Sequence, residues 1–206
     1  MNINKLRLKD KKLYLTVNSD TFGSDEAFLD AVAASLEAGV EILQLSEKNS
    51  SAQRIINLGK RIRELCSIYD VLFIVGERAD IAKIVDADGV HLSQDDIGIE
   101  SARDILDLNA IVGVSAHTPE QALKAQVGGA DYVAFGPVIG EGAVGLQYLK
   151  WASENINVPL FAFGAIDKEN VQDVLNTGAT RVAIDMPGIN NTGIECSMKS
   201  ILEKLK

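Results

Sequence analysis

Two histidines, a lysine that follows an apolar run and a set of carboxylates are the residues of this 206-residue chain best able to do chemistry. His117 stands in Ser115-Ala116-His117-Thr118-Pro119, just past an apolar run. Histidine titrates near neutral pH, so His117 is either an acid/base group or a residue that steadies its loop. His91 lies inside Gly89-Val90-His91-Leu92 and reads as a packed, hydrogen-bonded strand residue. Lys48 ends the segment Gln44-Leu45-Ser46-Glu47-Lys48 and offers a positive charge to an anion, or to solvent. Gly140 and Gly142 flank Glu141; such a pair either cradles an anion or makes a tight turn. Asp96, just before Ile97, suits the first turn of a helix. Cys66 and Cys196 have neither CxxC nor histidine-linked spacing, so both read as structural.

These residues need elements to position them, and the sequence supplies a regular series. Short apolar runs predict strands over 13–17, 42–45, 72–75, 89–93, 111–115, 132–138, 160–164 and 181–184. Between and after them, apolar residues at helical spacing predict helices over 25–38, 52–66, 80–85, 101–108, 119–127, 146–154, 168–175 and 195–205. Thr118 and Pro119 form a helix-start signal. Tyr148 and Trp151 fall on the helix over 146–154 as outer packing residues. Continuously apolar strands are expected where both faces are buried. Eight strand-then-helix units, with no GxGxxG after the first strand, favour a single (β/α)8 barrel over a doubly wound open sheet. Segments around Gly39, Gly89, Gly129 and Gly178 echo one another, and each reads as a helix C-cap feeding the next strand. Nothing interrupts the pattern, so residues 1–206 are read as one domain.

In such a barrel the loops after the strands build the site. That places Gln44, Lys48, Glu77, Asp96, Ser115, His117, Gly136, Gly164 and the segment Asp185-Met186-Pro187-Gly188 at one end. Composition narrows the partners. A net charge of −9 argues against nucleic acid and anionic membranes, both of which need a basic face. No apolar stretch is long enough for a signal peptide or a membrane span, and the expectation is a cytoplasmic protein. Homo-oligomerisation stays open.

Several of these segments, in order, resemble the thiamine-phosphate synthases and the related thiazole tautomerases. Gln44-Leu45-Ser46-Glu47-Lys48 is similar to the family's Gln-Leu-Arg-Glu-Lys. The runs Ala87-Asp88-Gly89-Val90-His91-Leu92-Ser93-Gln94-Asp95-Asp96, Gly113-Val114-Ser115-Ala116-His117-Thr118 and Gly129-Ala130-Asp131-Tyr132-Val133-Ala134-Phe135-Gly136-Pro137-Val138 are similar to further family segments. The resemblance implies Mg2+-dependent transfer of a pyrimidine-methyl group onto a thiazole phosphate, with release of pyrophosphate. It implies small phosphorylated substrates. Gln44, Lys48, Ser115 and Gly136 would contact substrate, Asp96 and Glu77 would hold Mg2+, and Gly164 would approach phosphate. In the tautomerase branch His117 would be the acid/base group; the third alternative is an inactive relative that acts as a binding module.

The sequence departs from the family at several of these places. Ser46 replaces an arginine, Gly76-Glu77 replaces Asn-Asp, and a short loop with Glu141 replaces Thr-x-Thr-Lys. Gly164-Ala165-Ile166 replaces Gly-Gly-Ile, and Asp185-Met186 replaces Val-Ser. The expectation is a rim that has lost cations and gained carboxylates, namely Glu47, Glu77, Asp95, Asp96, Glu141, Asp167 and Asp185, with weakened pyrophosphate binding.

Overall fold

The computed structural model describes residues 3–186 and 191–206. Eight parallel strands close into one barrel in chain order: β1 (Leu13–Val17), β2 (Ile42–Leu45), β3 (Leu72–Gly76), β4 (Gly89–Leu92), β5 (Ile111–Ala116), β6 (Tyr132–Phe135), β7 (Leu160–Phe163) and β8 (Val182–Asp185). Closure is made by β8 against β1, with Leu13 beside Val182 and Thr16 beside Asp185. The helices are α1 (Ile3–Lys9), α2 (Asp25–Glu37), α3 (Ala52–Tyr69), α4 (Ala79–Ile84), α5 (Ile99–Ile105), α6 (Pro119–Val127), α7 (Leu146–Asn155), α8 (Val171–Leu175) and α9 (Asn191–Leu205). The (β/α)8 barrel expected from the sequence is observed.

The strands are apolar on both faces because they separate two cores. Leu15, Leu43, Phe73, Val90, Val112, Val133 and Val182 face the helices. Tyr14, Ile42, Leu72, Ile74, Ile111, Tyr132 and Phe161 fill the barrel interior. Leu8 joins the interior cluster from α1, which lies across the lower end of the barrel as a floor. The sequence reading missed α1, because its Lys- and Arg-rich face masks the single buried position, Leu8.

Ser24, Ser51 and Thr118 cap α2, α3 and α6 by accepting an N–H from the first turn, and Pro119 follows Thr118 as expected. Gly39, Gly129 and Gly178 take left-handed conformations after their helices, with φ of 103°, 87° and 96°. Gly89 is a correction to that repeat. The left-handed residue after α4 is Asp86 (φ 54°), while Gly89 sits inside β4. A Cβ there would stand 2.2 Å from the Ile111 carbonyl oxygen, so close strand packing is what requires glycine.

The lower end carries its own repeat. Glu41 accepts from the Lys12 and Leu13 amides, Asp88 from the Phe73 amide and Asp131 from the Val112 amide. Each acid precedes one strand and satisfies the entry of the preceding strand, where no ladder partner is available. Arg7 and Arg63 pair with Asp88, and Lys5 and Arg103 pair with Asp131.

Candidate active site

At the upper end, where the strands finish, a cavity of about 140 Å³ opens into the barrel. Gln44, Lys48, Glu77, Ser115 and Asp185 line it, with Thr16, Ser46, Ser93 and the ring of Phe163. Tyr14 and His91 form part of its floor. The alternation of β2 sends Gln44 inward while Leu43 and Leu45 face the helices. On β5, Gly113 and Ser115 point inward by the same alternation.

Beneath the opening runs an unbroken hydrogen-bonded chain. Tyr14 donates its hydroxyl to Gln44 Oε1 at 2.7 Å, and the Tyr14 and Tyr132 hydroxyls meet at 2.8 Å. The Tyr132 hydroxyl lies 2.9 Å from His91 Nδ1, and His91 Nε2 lies 2.8 Å from Ser115 Oγ. Burial pushes the His91 imidazole down to about 4, so it is neutral at physiological pH. Burial also raises both tyrosine hydroxyls well above their ordinary range. The chain therefore spans the barrel, from β2 to β5, without carrying a charge.

Gly113 makes this crossing possible. A Cβ at Gly113 would fall 1.9 Å from Tyr132 Cζ, so the Tyr132 ring occupies the space that a side chain would take. The ring stacks on His91 and meets Tyr14 and Phe161 edge-on. Sequence reasoning passed over Tyr14 and Tyr132 as apolar strand residues. The glycine within an apolar strand was the available signal of a close approach.

The charged wall is built by Lys48 and Glu77, whose Nζ and Oε1 lie 2.9 Å apart. The hydrogen bond that Lys48 donates to Glu77 chiefly, with the charges of Glu77 and Asp96, raises the Lys48 pKa. Glu77 holds a left-handed backbone (φ 67°), fixed by donation of its N–H to the His91 carbonyl at 2.7 Å. A non-glycine residue in that region costs about 1 to 3 kcal/mol and is concentrated at functional sites. Asp96 Oδ2 accepts from both the Ser93 amide and hydroxyl, which makes it a turn-capping residue of the loop after β4. It does not cap α5, whose N-cap is Gly98, and this corrects the helix-start reading.

Other residues singled out in the sequence lie apart from the cavity. His117 is exposed beyond β5, its Nδ1 held 2.6 Å from the Gly136 carbonyl and its ring edge against Phe163. Its contacts are those of a residue that ties the β5 and β6 loops together. Gly136 and Gly164 pack backbone against backbone: a Cβ would meet the Phe163 oxygen at 2.2 Å or the Ile139 oxygen at 2.7 Å. Beside Gly164, the Ala165 amide donates to Ile139 and the Ile166 amide to Gly164. Gly140 and Gly142 shape a turn, with left-handed φ of 103° and 68°. Pro187 and Gly188 lie outside the described residues.

The acidic rim also needs correction. Glu47 is buried and holds loops together, accepting from the Ser19 amide and the Ser50 hydroxyl. Asp167 accepts from the Glu169 and Asn170 amides. Among the described residues, Glu77 and Asp185 are the carboxylates that line the cavity. Partial removal of water raises the Asp185 pKa. Among the described residues, no group of three or more His, Cys, Asp or Glu side chains is placed to hold a metal. Two carboxylates near Lys48 still suit Mg2+, which uses one or two and completes its shell with water and phosphate oxygens. Glu77, on the cavity wall, and Asp96, in the loop after β4, are the two carboxylates whose charges act on Lys48.

Comparison with known proteins follows the same lines. Residues 13–185 match the family model described as thiamine monophosphate synthase. A thiamine-phosphate synthase of Synechocystis is 41% identical over 184 residues, covering 86% of this chain and 52% of that protein. The chain thus spans about half the length of such cyanobacterial relatives. A thiamine-phosphate synthase of Thermus thermophilus is 38% identical over 201 residues, covering 94% of this chain and 97% of the relative. The solved thiamine phosphate pyrophosphorylase from Pyrococcus furiosus superposes with a TM-score of 0.87 at 33% identity, over 97% of each chain. Barrel, mouth and sequence agree: the chain belongs to the thiamine monophosphate synthase family.

Proposed function

We propose that this chain is a thiamine-phosphate synthase, joining a pyrimidine-methyl diphosphate to a thiazole phosphate. The observation that carries the reading is the small polar cavity at the barrel mouth, where Gln44, Lys48 and Ser115 converge. In this reaction the carbon–oxygen bond to the diphosphate breaks, its electron pair leaves with pyrophosphate, and the thiazole nitrogen forms the new bond to carbon. Gln44 and Ser115 hold the ring, and the Lys48 ammonium faces the departing anion. Glu77 and Asp96 would hold a Mg2+, whose charge would stabilise that leaving group. Phe163 closes the apolar side and limits water around the reacting carbon.

The placement of His117 away from the cavity, on the Gly136 carbonyl, gives no support to a tautomerase centred on that residue. The cavity and its ordered polar chain likewise give no support to an inactive module. No helix among the described residues is long and apolar enough to cross a membrane. A cytoplasmic setting fits a reaction between small phosphorylated metabolites.

The test is an assay of the purified chain with both substrates and Mg2+, with thiazole isomerisation followed in parallel. Coupled product that falls at least tenfold in Lys48→Met supports the reading. No product from the folded parent protein, or isomerisation alone, overturns it.

A further inference from the structure

The neutral imidazole of His91 has one N–H to serve two hydrogen bonds, and this count orients its neighbours. The Gln44 carbonyl oxygen can only accept, so the proton between it and Tyr14 belongs to Tyr14. The Tyr14 hydroxyl has then used its hydrogen, and Tyr132 must donate to it across 2.8 Å. Tyr132 in turn must receive a hydrogen from His91 Nδ1, at 2.9 Å. Nε2 is left bare and takes the hydrogen of the Ser115 hydroxyl at 2.8 Å. Every hydrogen in the chain points from β5 toward β2. Both ends open into the same cavity.

We propose that His91 and Tyr132 are positioning residues that fix the hydrogen-bond polarity of the cavity, presenting Gln44 Nε2 as a donor and Ser115 Oγ as an acceptor. Neither residue needs to touch the reacting atoms; each acts through the group at its end of the chain. Gly76 preserves the donor end, because a Cβ there would stand 3.0 Å from Gln44 Nε2. Gly113 preserves the middle by giving the Tyr132 ring its place. The complementary ligand carries an acceptor toward β2 and a donor toward β5. A heteroaromatic ring with a ring nitrogen and an exocyclic amino group has that pattern. Its oxo counterpart, with a protonated ring nitrogen beside a carbonyl, has the pattern reversed. Discrimination rests on leaving a polar group unpaired in the wrong complex, which costs more than a hydrogen bond gains.

The choice of probe rests on the synthase reading above, while the tautomer stands independently of it. The first measurement is 15N NMR of histidine-labelled protein, with His117→Asn used to assign the two histidines. His91 is expected with hydrogen on Nδ1 and a bare Nε2; the opposite tautomer overturns the proposal. The second is calorimetric binding of a 4-aminopyrimidine and its 4-oxo counterpart, each bearing a methyl diphosphate arm, to the parent protein and to Tyr132→Phe. The parent should prefer the amino compound by about tenfold or more, the value of one hydrogen bond, and the variant should lose most of that preference. An unchanged preference in folded Tyr132→Phe overturns the proposal with the synthase reading intact. A parent that binds neither compound overturns the synthase reading, and the His91 tautomer then decides the relay. The tautomer decides equally if Tyr132→Phe does not fold.

Discussion

Replacing Gly113 by alanine tests the buried relay at its tightest point. The new Cβ would lie 1.9, 2.2 and 2.4 Å from Cζ, Cε1 and the hydroxyl oxygen of Tyr132. Ordinary carbon contacts begin near 3.5 Å, so the ring must retreat by roughly 1.5 Å. It has nowhere to go: Tyr132 is fully buried, with ring centroids of His91 and Phe161 both 5.5 Å away and that of Tyr14 at 5.8 Å. Overpacking of this kind costs about 1 to 3 kcal/mol. Displacement also breaks the two hydrogen bonds of the Tyr132 hydroxyl, each worth about 1 kcal/mol net. The expected loss is about 3 to 5 kcal/mol, a large part of a typical domain's stability. Urea unfolding followed by circular dichroism measures it, with Gly23→Ala as control, since a Cβ there meets nothing within 4 Å. The control should stay within about 0.5 kcal/mol of the parent. A loss below about 1 kcal/mol in Gly113→Ala would refute the reasoning, because the ring would then not fill that space.

Four further outcomes follow from the same structure. His91 has its folded pKa lowered to about 4, so the unfolded chain binds more protons between that value and the ordinary histidine range. Its contribution to stability is complete above that range and is lost as pH falls toward 4; unfolding at pH 7 and pH 5 should differ by about 2 kcal/mol from this group, a slope absent in His91→Gln. Asp131→Ala removes a carboxylate only 7% exposed, breaks its pairs with Arg103 and Lys5 and takes the acceptor from the Val112 amide, so it should cost about 3 to 5 kcal/mol by thermal or urea unfolding. Asp107→Ala removes an acid 84% exposed and should cost less than about 0.5 kcal/mol. Burial pushes the Cys66 thiol up to about 12, so a thiol reagent should label exposed Cys196 in the native protein and Cys66 only on unfolding.

The barrel was legible because its strands are buried on both faces, and continuous runs such as Leu72-Phe73-Ile74-Val75 leave few other readings. Helix starts were legible where a single side chain makes the cap, as Thr118 does for the Gln121 amide. The site was legible as a set of strand ends but not as a set of directions. Glu47 and Lys48 are neighbours in sequence, yet one is buried under the β1 and β2 loops and the other reaches Glu77 across the mouth. Composition counts both as rim charges. Tyr14 and Tyr132 meet at 2.8 Å across 118 residues of chain, and such pairing leaves no local periodicity to read. The floor helix was missed for the opposite reason: α1 is held by Leu8 and by charge pairs to distant acids rather than by an apolar face of its own.

The acids at the barrel floor give the two ends of this molecule separate tasks. Glu41, Asp88 and Asp131 stitch the strand entries together, and Asp88 and Asp131 anchor the floor, well away from the cavity at the mouth. The mouth is assembled from residues at the upper strand ends and in the loops after them, and none of those stitches touches it. Substitutions at Ser46, or in the loop at Glu141, therefore leave the stitches at the floor untouched. An engineer who wants a different chemistry on this scaffold would redesign the mouth residue by residue and leave the floor alone.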